Sequence, residues 1–332
     1  MLGAHLLLDL TKNGSEVRAL KRKNSDLTTV KKIFSWYTSD AEKLFGQIEW
    51  VEGELSDKGF LGEVLAGVET VIHAAAKVSF HPKDRLRMLY ENIEGTASLV
   101  DAALEMKIQR FCHVSSIASL GEQGSGLPVN EDFSWKNDKR RSAYSESKFR
   151  SEMEVWRGIE EGLDCVIVNP AFILGPGKWD HGSPRLFRTV RNRMKFYTNG
   201  SNGFVDVRDV SRAIIELSQS DDWESIKNQR YVLSAENISY HEVFGTIAEA
   251  LYQAKPTIPA NRFLLQIAWR AASVMSLVTG KEPALTRETA RSSMKQSVYD
   301  GTKITCVINF KYTPIGQTIQ EIAKIFLKDI VS

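Results

Sequence analysis

The chain has 332 residues, 42% of them hydrophobic, and is therefore long enough to bury a substantial core. Its 43 basic and 41 acidic residues leave a net charge of +2, which gives no electrostatic basis for nucleic-acid binding. The three cysteines (Cys112, Cys165 and Cys306) are too few and too scattered for a disulfide framework or a zinc site. No leader with a cleavage site is evident, so we expect a cytoplasmic protein without stable membrane insertion.

The first fifty residues alternate between helical and extended patterns. Leu6, Leu7 and Leu10 recur at helical spacing, and Asn13-Gly14 breaks the pattern. Residues 15–22 then read as a strand, and residues 50–57 as another. The chain therefore enters on a helix, with its first strand only afterwards.

Apolar strands and helices alternate regularly through the middle of the chain. Strands are predicted over 71–76, 110–118 and 164–170, with helices from Asn92 through Leu104 and around Tyr144. This alternation is typical of a parallel sheet covered on both faces. Ligands bind outside the carboxyl ends of such strands, where small residues, a serine pair and a proline would lie.

The pentapeptide Tyr144-Ser145-Glu146-Ser147-Lys148 carries the most direct chemical signal. A tyrosine and a lysine four residues apart lie on one face of a helix, so the ammonium of Lys148 would lower the pKa of the phenol. A serine at a neighbouring strand end, from Val114-Ser115-Ser116, would polarise a carbonyl or alcohol beside it. The Tyr/Lys spacing alone is weak evidence, and its value comes from the surrounding order of elements.

In its order of strands, helices and motifs, the chain resembles an extended short-chain dehydrogenase/reductase of the NAD-dependent epimerase/dehydratase group. It is most similar to dihydroflavonol-reductase and 3β-hydroxysteroid-dehydrogenase members. The similarity spans residues 3–209, with a weaker match over 299–303 and 310–314. It implies an α/β fold: a Rossmann-type doubly wound parallel sheet with a smaller C-terminal substrate lobe. Residues 1–170 would bind the dinucleotide, and residues 171–332 would form the lobe, returning to the core near 204–235.

The resemblance also assigns catalytic roles. Tyr144 would be the acid/base, Lys148 would bind the nicotinamide ribose and tune the tyrosine, and Ser116 would hydrogen-bond the reacting oxygen. Ser116 is preferred to Ser115 because the family's serine precedes a four-residue stretch and a glycine, here Gly121. The two serines face opposite ways in a strand, so only one can point into the site.

The implied cofactor is a nicotinamide dinucleotide, with NADP favoured and NAD possible. Lys21 and Arg22 stand where NAD-preferring members carry an acid, although a solvated basic loop is the alternative explanation. The candidate cofactor-binding residues are Gly3, Lys21, Arg22, Glu54, Leu55, Ala74, Ala75, Ala76, Asn92, Tyr144, Lys148 and Pro170.

The start of the chain departs from the family. Gly3 matches only the last glycine of the phosphate-binding turn, and the first strand and the earlier glycines are absent from this sequence. We expect that Met1 is an internal methionine or that the chain has been cut. A truncated protein that does not bind the dinucleotide is the alternative.

Three function classes follow. The first is an NAD(P)-dependent oxidoreductase acting on a hydroxyl or ketone of a small organic substrate, with a homodimer as one option for its assembly. The second is a sugar-nucleotide epimerase or dehydratase, disfavoured because residues 169–176 lack that group's arginine and tyrosine. The third is a non-catalytic dinucleotide-binding protein. Residues 262–281 have apolar side chains at helical spacing, which indicates core packing or a lid, with a membrane-surface helix as the alternative.

Overall fold

The computed structural model describes residues 1–79, 81–121, 127–133, 135, 141–279 and 285–331. Helices and strands alternate along most of this length. The helices are α1 (Leu2–Lys12), α2 (Thr28–Tyr37), α3 (Ala41–Gly46), α4 (Lys58–Leu65), α5 (Arg85–Glu105), α6 (Ala143–Glu160), α7 (Arg185–Arg191), α8 (Val207–Ser218), α9 (Trp223–Ile226), α10 (Tyr240–Ala250), α11 (Arg262–Thr279), α12 (Arg287–Ser292), α13 (Thr302–Val307) and α14 (Ile315–Val331). The strands are β1 (Arg18–Lys21), β2 (Glu49–Glu52), β3 (Thr70–His73), β4 (Arg110–Val114), β5 (Cys165–Pro170), β6 (Phe172–Leu174), β7 (Phe196–Tyr197), β8 (Ser201–Asp206), β9 (Gln229–Leu233), β10 (Glu236–Ser239) and β11 (Ile258–Pro259).

The central sheet is parallel, in the order β3-β4-β5-β9, and is covered on both faces. Successive strand residues point to opposite sides. Phe111 and Ile167 pack in a cluster with side chains of α5 and α6. Val114 and Val168 pack in a second cluster with α1 and α8. This is the doubly wound α/β arrangement that the alternating pattern predicted.

The first two strands form a separate parallel ladder, β1 with β2. Its own core contains Leu8 of α1, Phe34 of α2 and Ile48 before β2. Within the described residues no strand joins this ladder to β3, the nearer edge of the central sheet. The two ladders are instead linked by side chains of the surrounding helices and loops.

The second half of the chain adds a smaller antiparallel and parallel sheet, in the order β10-β8-β6. Its cluster draws on α7, α10 and α14, with Phe204, Phe244 and Phe326 among the buried side chains. Between these elements the chain returns to the central sheet through β9. Of residues 171–332, positions 280–284 and 332 lie outside the described part.

Several predicted boundaries were wrong. The strands predicted over 50–57 and 71–76 end at Glu52 and His73. The strand predicted over 110–118 ends at Val114, because Ser116 begins a 3-10 turn (Ile117–Ser119) and accepts a hydrogen bond from the Ala118 amide at 3.1 Å. The helix predicted from Asn92 begins earlier, at Arg85. All of these errors concern the ends of elements. A capping contact of Ser116 follows β4, whereas α5 begins without a side-chain cap.

Candidate active site

The two serines that follow β4 point in opposite directions. Ser116 is partly exposed and forms a hydrogen bond with the Tyr144 side chain. Ser115 is buried and donates to the carboxylate of Glu152 at 2.5 Å. The structure therefore brings Ser116, the residue preferred from the sequence, together with Tyr144, and turns Ser115 away from it.

Tyr144 stands in the first turn of α6, which begins here because Ser142 caps it. The Ser142 hydroxyl accepts from the Ser145 amide at 3.0 Å, satisfying one of the free N–H groups of the helix start. Burial raises the pKa of the Tyr144 phenol above its ordinary value, and the hydrogen bond from Ser116 partly opposes this. The net shift is upward because burial of the phenol outweighs the Ser116 hydrogen bond, and the lowering expected from the charge of Lys148 stays a prediction.

Lys148 lies one turn after Tyr144 and is 5% exposed. Its ammonium donates to the carbonyl of Val114 at 2.8 Å, at the end of β4. Burial lowers the pKa of Lys148 from 10.5 to about 8, and the charge of Glu152 partly counteracts this. With such a pKa Lys148 is still mostly charged at pH 7, so it keeps a positive charge one helical turn from the Tyr144 phenol.

Behind these groups lies a buried carboxylate that the sequence analysis missed. Glu152 is 1% exposed and accepts hydrogen bonds from Ser115, Ser119 (2.6 Å), Asn169 (2.9 Å) and Arg230 (3.1 Å). The sequence could have shown where Glu152 lies, since it follows Lys148 by four residues on the same helix face. The sequence could not have shown its partners, because they come from three other segments of the chain.

The loop after β3 is joined to α6 through Asn92 of α5. The Asn92 side chain accepts from the Lys77 amide at 2.7 Å and donates to the Lys77 carbonyl at 2.9 Å and the Ser147 hydroxyl at 3.2 Å. Ala74 in the same loop is partly buried, whereas Ala75 and Ala76 are exposed. These small residues line the same carboxyl edge of the sheet as Ser116.

A cluster of paired charges occupies the ends of β1 and β2. Lys21 pairs with Glu52, while Arg22 lies 3.3 Å from Glu54 and 3.2 Å from Glu91. The Arg22 side chain is 53% exposed, so its guanidinium remains open to solvent. Leu55, which follows Glu54, instead packs its side chain into the core beneath α5.

Gly3 and Pro170 occupy different environments. Gly3 is exposed in the first turn of α1, and a side-chain carbon added there would meet no atom within 4 Å. Its neighbour Met1 approaches the hydroxyl of Ser183 at 3.8 Å, beyond β6. Pro170 is buried at the end of β5, where it lies opposite Leu233 of β9 in the sheet register. Among the described residues no group of three or more His, Cys, Asp or Glu side chains is arranged to hold a metal ion.

Comparison with known proteins shows the family to which the whole chain is similar. The sequence profile of the NAD dependent epimerase/dehydratase family matches residues 1–232. A "Putative dihydroflavonol 4-reductase" of Synechocystis is 28% identical over 326 residues, which is 96% of this chain and 90% of that protein. "Sterol demethylase protein B" of Methylococcus capsulatus is 29% identical, covering 80% of this chain and 76% of that protein. The crystal structure of gox2253 superposes with a TM-score of 0.78 at 26% identity, covering 99% of this chain and 96% of that one.

Proposed function

Because this chain belongs to the NAD-dependent epimerase/dehydratase family and is an NAD(P)-dependent oxidoreductase, we propose that Ser116, Tyr144 and Lys148 interconvert a ketone and a hydroxyl group. The observation that carries the proposal is the hydrogen bond between the Ser116 and Tyr144 side chains, one helical turn from Lys148. These groups meet at the carboxyl edge of a parallel sheet, where α/β enzymes bind their ligands.

The residues present fit a dinucleotide. The first turn of α1 is open at Gly3, and free N–H groups at a helix start favour a phosphate. Ala75 and Ala76 add exposed small side chains along the edge, and Arg22 and Lys77 add positive charge. When bound, the dinucleotide supplies a hydride to the substrate carbon or removes one from it. Asn92 and Lys148 would orient its ribose and nicotinamide side.

In the reducing direction Tyr144 donates its phenolic proton to the carbonyl oxygen as a hydride reaches the carbon, which completes the alcohol. Ser116 donates a hydrogen bond to the same oxygen and stabilises the charge that develops on it. The positive charge of Lys148 stabilises the phenolate that remains until solvent returns the proton. Oxidation runs through the same groups in reverse.

We further propose that NADP is preferred and that residues 1–170 bind it, while residues 171–332 shape the substrate site. Arg22 offers a half-exposed guanidinium near a 2′-phosphate, although Glu54 and Glu91 already pair with it. Titration by calorimetry should show tighter binding of NADPH than of NADH, with Arg22→Ala removing most of the difference. Glu54→Gln should enlarge the difference, since it frees the guanidinium. Tighter NADH binding by the unmodified protein would refute the preference.

The substrate is proposed to be a small organic ketone or alcohol, as the name of the dihydroflavonol reductase relative suggests. The test is to measure dihydroflavonol and ketosteroid reduction by following cofactor absorbance, with Tyr144→Phe as the key variant. We expect a loss of ~10²–10⁴-fold in kcat with dinucleotide binding retained. Tyr252→Phe, at a residue 87% exposed, is the matched control and should leave kcat unchanged.

Substitutions of Ser115 and Ser116 separately test which serine acts in catalysis and which supports the fold. Ser116→Ala should lower kcat, whereas Ser115→Ala should lower the unfolding free energy, because Ser115 bonds to Glu152 and not to Tyr144. Normal kcat in Tyr144→Phe would overturn the assignment. Turnover of a sugar nucleotide without net change in the cofactor would favour the epimerase alternative instead.

A further inference from the structure

Large hydrophobic side chains are exposed at unusual density in one part of the molecule. Seventeen are exposed along the described chain, and seven belong to β7, β11 and α11, which together contain only 22 residues. The seven are Phe196, Ile258, Phe263, Leu264, Ile267, Val274 and Met275. Scattered exposed hydrophobics need no explanation, but a concentration of this kind marks a binding surface.

The orientation of α11 is set by its buried side. Leu265 packs in a cluster with Ala260 and Ala290, so it points inward. At about 100° per residue, Phe263, Ile267 and Val274 fall within about 40° of one another and opposite Leu265. Their exposed fractions are 71%, 52% and 61%. The helix therefore presents an apolar stripe to solvent, interrupted by the exposed Arg270, which lies about 20° from Phe263 on the same face.

The two chain segments that carry this surface lack acidic residues. Residues 181–205 and 250–281 contain no aspartate or glutamate. Backbone hydrogen bonds join the two segments. The carbonyl of Lys195 accepts from the amides of Thr257 (3.2 Å) and Ile258 (3.0 Å), and β7 pairs with β11. Lys255 is neutralised by Glu249, but other basic residues of these segments are exposed without an ion-pair partner among the described residues. Those cations are Arg188, Arg191, Arg193, Lys195, Arg262 and Arg270.

We propose that this α11 surface, made of the seven hydrophobic side chains and the six cations just named, docks on an anionic lipid bilayer. An exposed apolar helix face bordered by arginine and lysine is suited to the boundary between headgroups and acyl chains. A second copy of the chain is disfavoured as the occupant because it would bring two sets of cations together. Of the helices in the described residues, none is long and apolar enough to cross a membrane, so α11 would lie along the bilayer surface.

The side of α11 that is turned away from the docking surface leads toward the proposed active site. Leu265 packs with Ala290 of α12. The Glu288 carboxylate of α12 accepts a hydrogen bond from the amide of Ala143, the first residue of α6, and Tyr144 follows it. The docking proposal does not rest on the proposed catalysis.

Co-sedimentation of the full chain with vesicles tests the proposal. We expect binding to vesicles of equal phosphatidylcholine and phosphatidylglycerol, and weak binding to pure phosphatidylcholine or at high salt, because screening removes the attraction. Phe263→Glu combined with Ile267→Glu should weaken binding at least about tenfold, and Arg191→Glu combined with Arg193→Glu should do likewise. Leu86→Glu, at another exposed leucine (79%), is the matched control and should bind normally.

Circular dichroism should confirm that each variant is folded, since all these positions are at the surface. Absence of binding to anionic vesicles, or equal binding by the α11 double variant, would overturn the proposal. Sedimentation velocity provides the remaining outcome. A dimer that Phe263→Glu and Ile267→Glu dissociate would show that a second copy covers this surface, and would also overturn it.

Discussion

Replacing Lys148 with methionine should stabilise the folded protein at neutral pH while abolishing its activity. Burial lowers the pKa of Lys148 from 10.5 to about 8, so the charged form of the lysine is less stable in the folded protein than in the unfolded chain. This difference corresponds to about 3 kcal/mol of destabilisation at pH 7. The Val114 carbonyl loses its donor in the variant, which costs about 1 kcal/mol. A net gain of about 2 kcal/mol is expected.

The pH dependence distinguishes this explanation from a simple packing effect. Below pH 8 the lysine is charged in both states and the full cost is present. Between pH 8 and 10.5 only the unfolded chain keeps the proton, so the unfolding free energy of the unmodified protein rises with pH. Above 10.5 the cost has vanished. The advantage of Lys148→Met should therefore shrink by about 2–3 kcal/mol between pH 7 and pH 10.

Urea unfolding at several pH values, followed by circular dichroism, measures this directly. Lys31→Met removes an exposed lysine and serves as the control, whose difference from the unmodified protein should not vary in this way. A Lys148→Met advantage that is the same at pH 7 and pH 10 would refute the reasoning, since a buried ammonium could not then be the source. Packing alone would produce that result.

Three further predictions follow from buried polar groups and close packing. Burial lowers the pKa of His73 to about 3 and that of His113 well below its ordinary value, so both are neutral when folded. Below pH ~6.5 such a histidine gains a proton when the chain unfolds, so the unfolding free energy should fall by about 2 kcal/mol per histidine by pH 5. In His113→Leu, the unfolding free energy measured in urea should fall less steeply with acid. Glu152→Gln should cost about 3 kcal/mol in urea melts, because it removes the buried charge partner of the partly buried Arg230. It should also lower the pKa of Lys148 further, and an unchanged melt would contradict the network. Gly158→Ala should destabilise the protein by about 1–3 kcal/mol, because the added carbon would lie 2.5 Å from a valine of α5. Gly62→Ala is the control: its added carbon would meet no atom within 4 Å, so it should stabilise the protein by up to about 1 kcal/mol. Equal shifts in melting temperature would show that α5 and α6 are not in close contact at Gly158.

The parts of the fold that depend on local pattern were predictable. The apolar run of β5 and the alternation of strands with helices indicate a covered parallel sheet, because burial on both faces demands hydrophobic residues throughout. The shared face of Tyr144 and Lys148 follows from helix geometry alone. Opposite directions for Ser115 and Ser116 follow from the two-residue repeat of extended chain. Each of these is fixed by residues within a few positions of one another.

Long-range contacts decided the rest. Glu152 gained its environment from Arg230, 78 residues away along the chain, and from Asn169 on a neighbouring strand. The basic residues Lys21 and Arg22, which the sequence suggested for a phosphate, meet acids of β2 and α5 in the folded protein. The direction of the Tyr144 pKa also depends on how deeply the fold buries the phenol.

The sequence by itself therefore determined the class of fold, because that rests on short periodic patterns, and its resemblance to a family supplied the candidate catalytic residues. Only the tertiary structure decided which charged groups are paired, which are buried and which hydrophobic faces remain exposed. The stripe on α11 illustrates the division: its helical spacing is visible in the sequence, but that its apolar side faces solvent depends on Leu265 packing inward. The physical reason is that periodicity is a property of neighbouring residues, whereas burial and ion pairing are properties of segments that meet only in the folded chain.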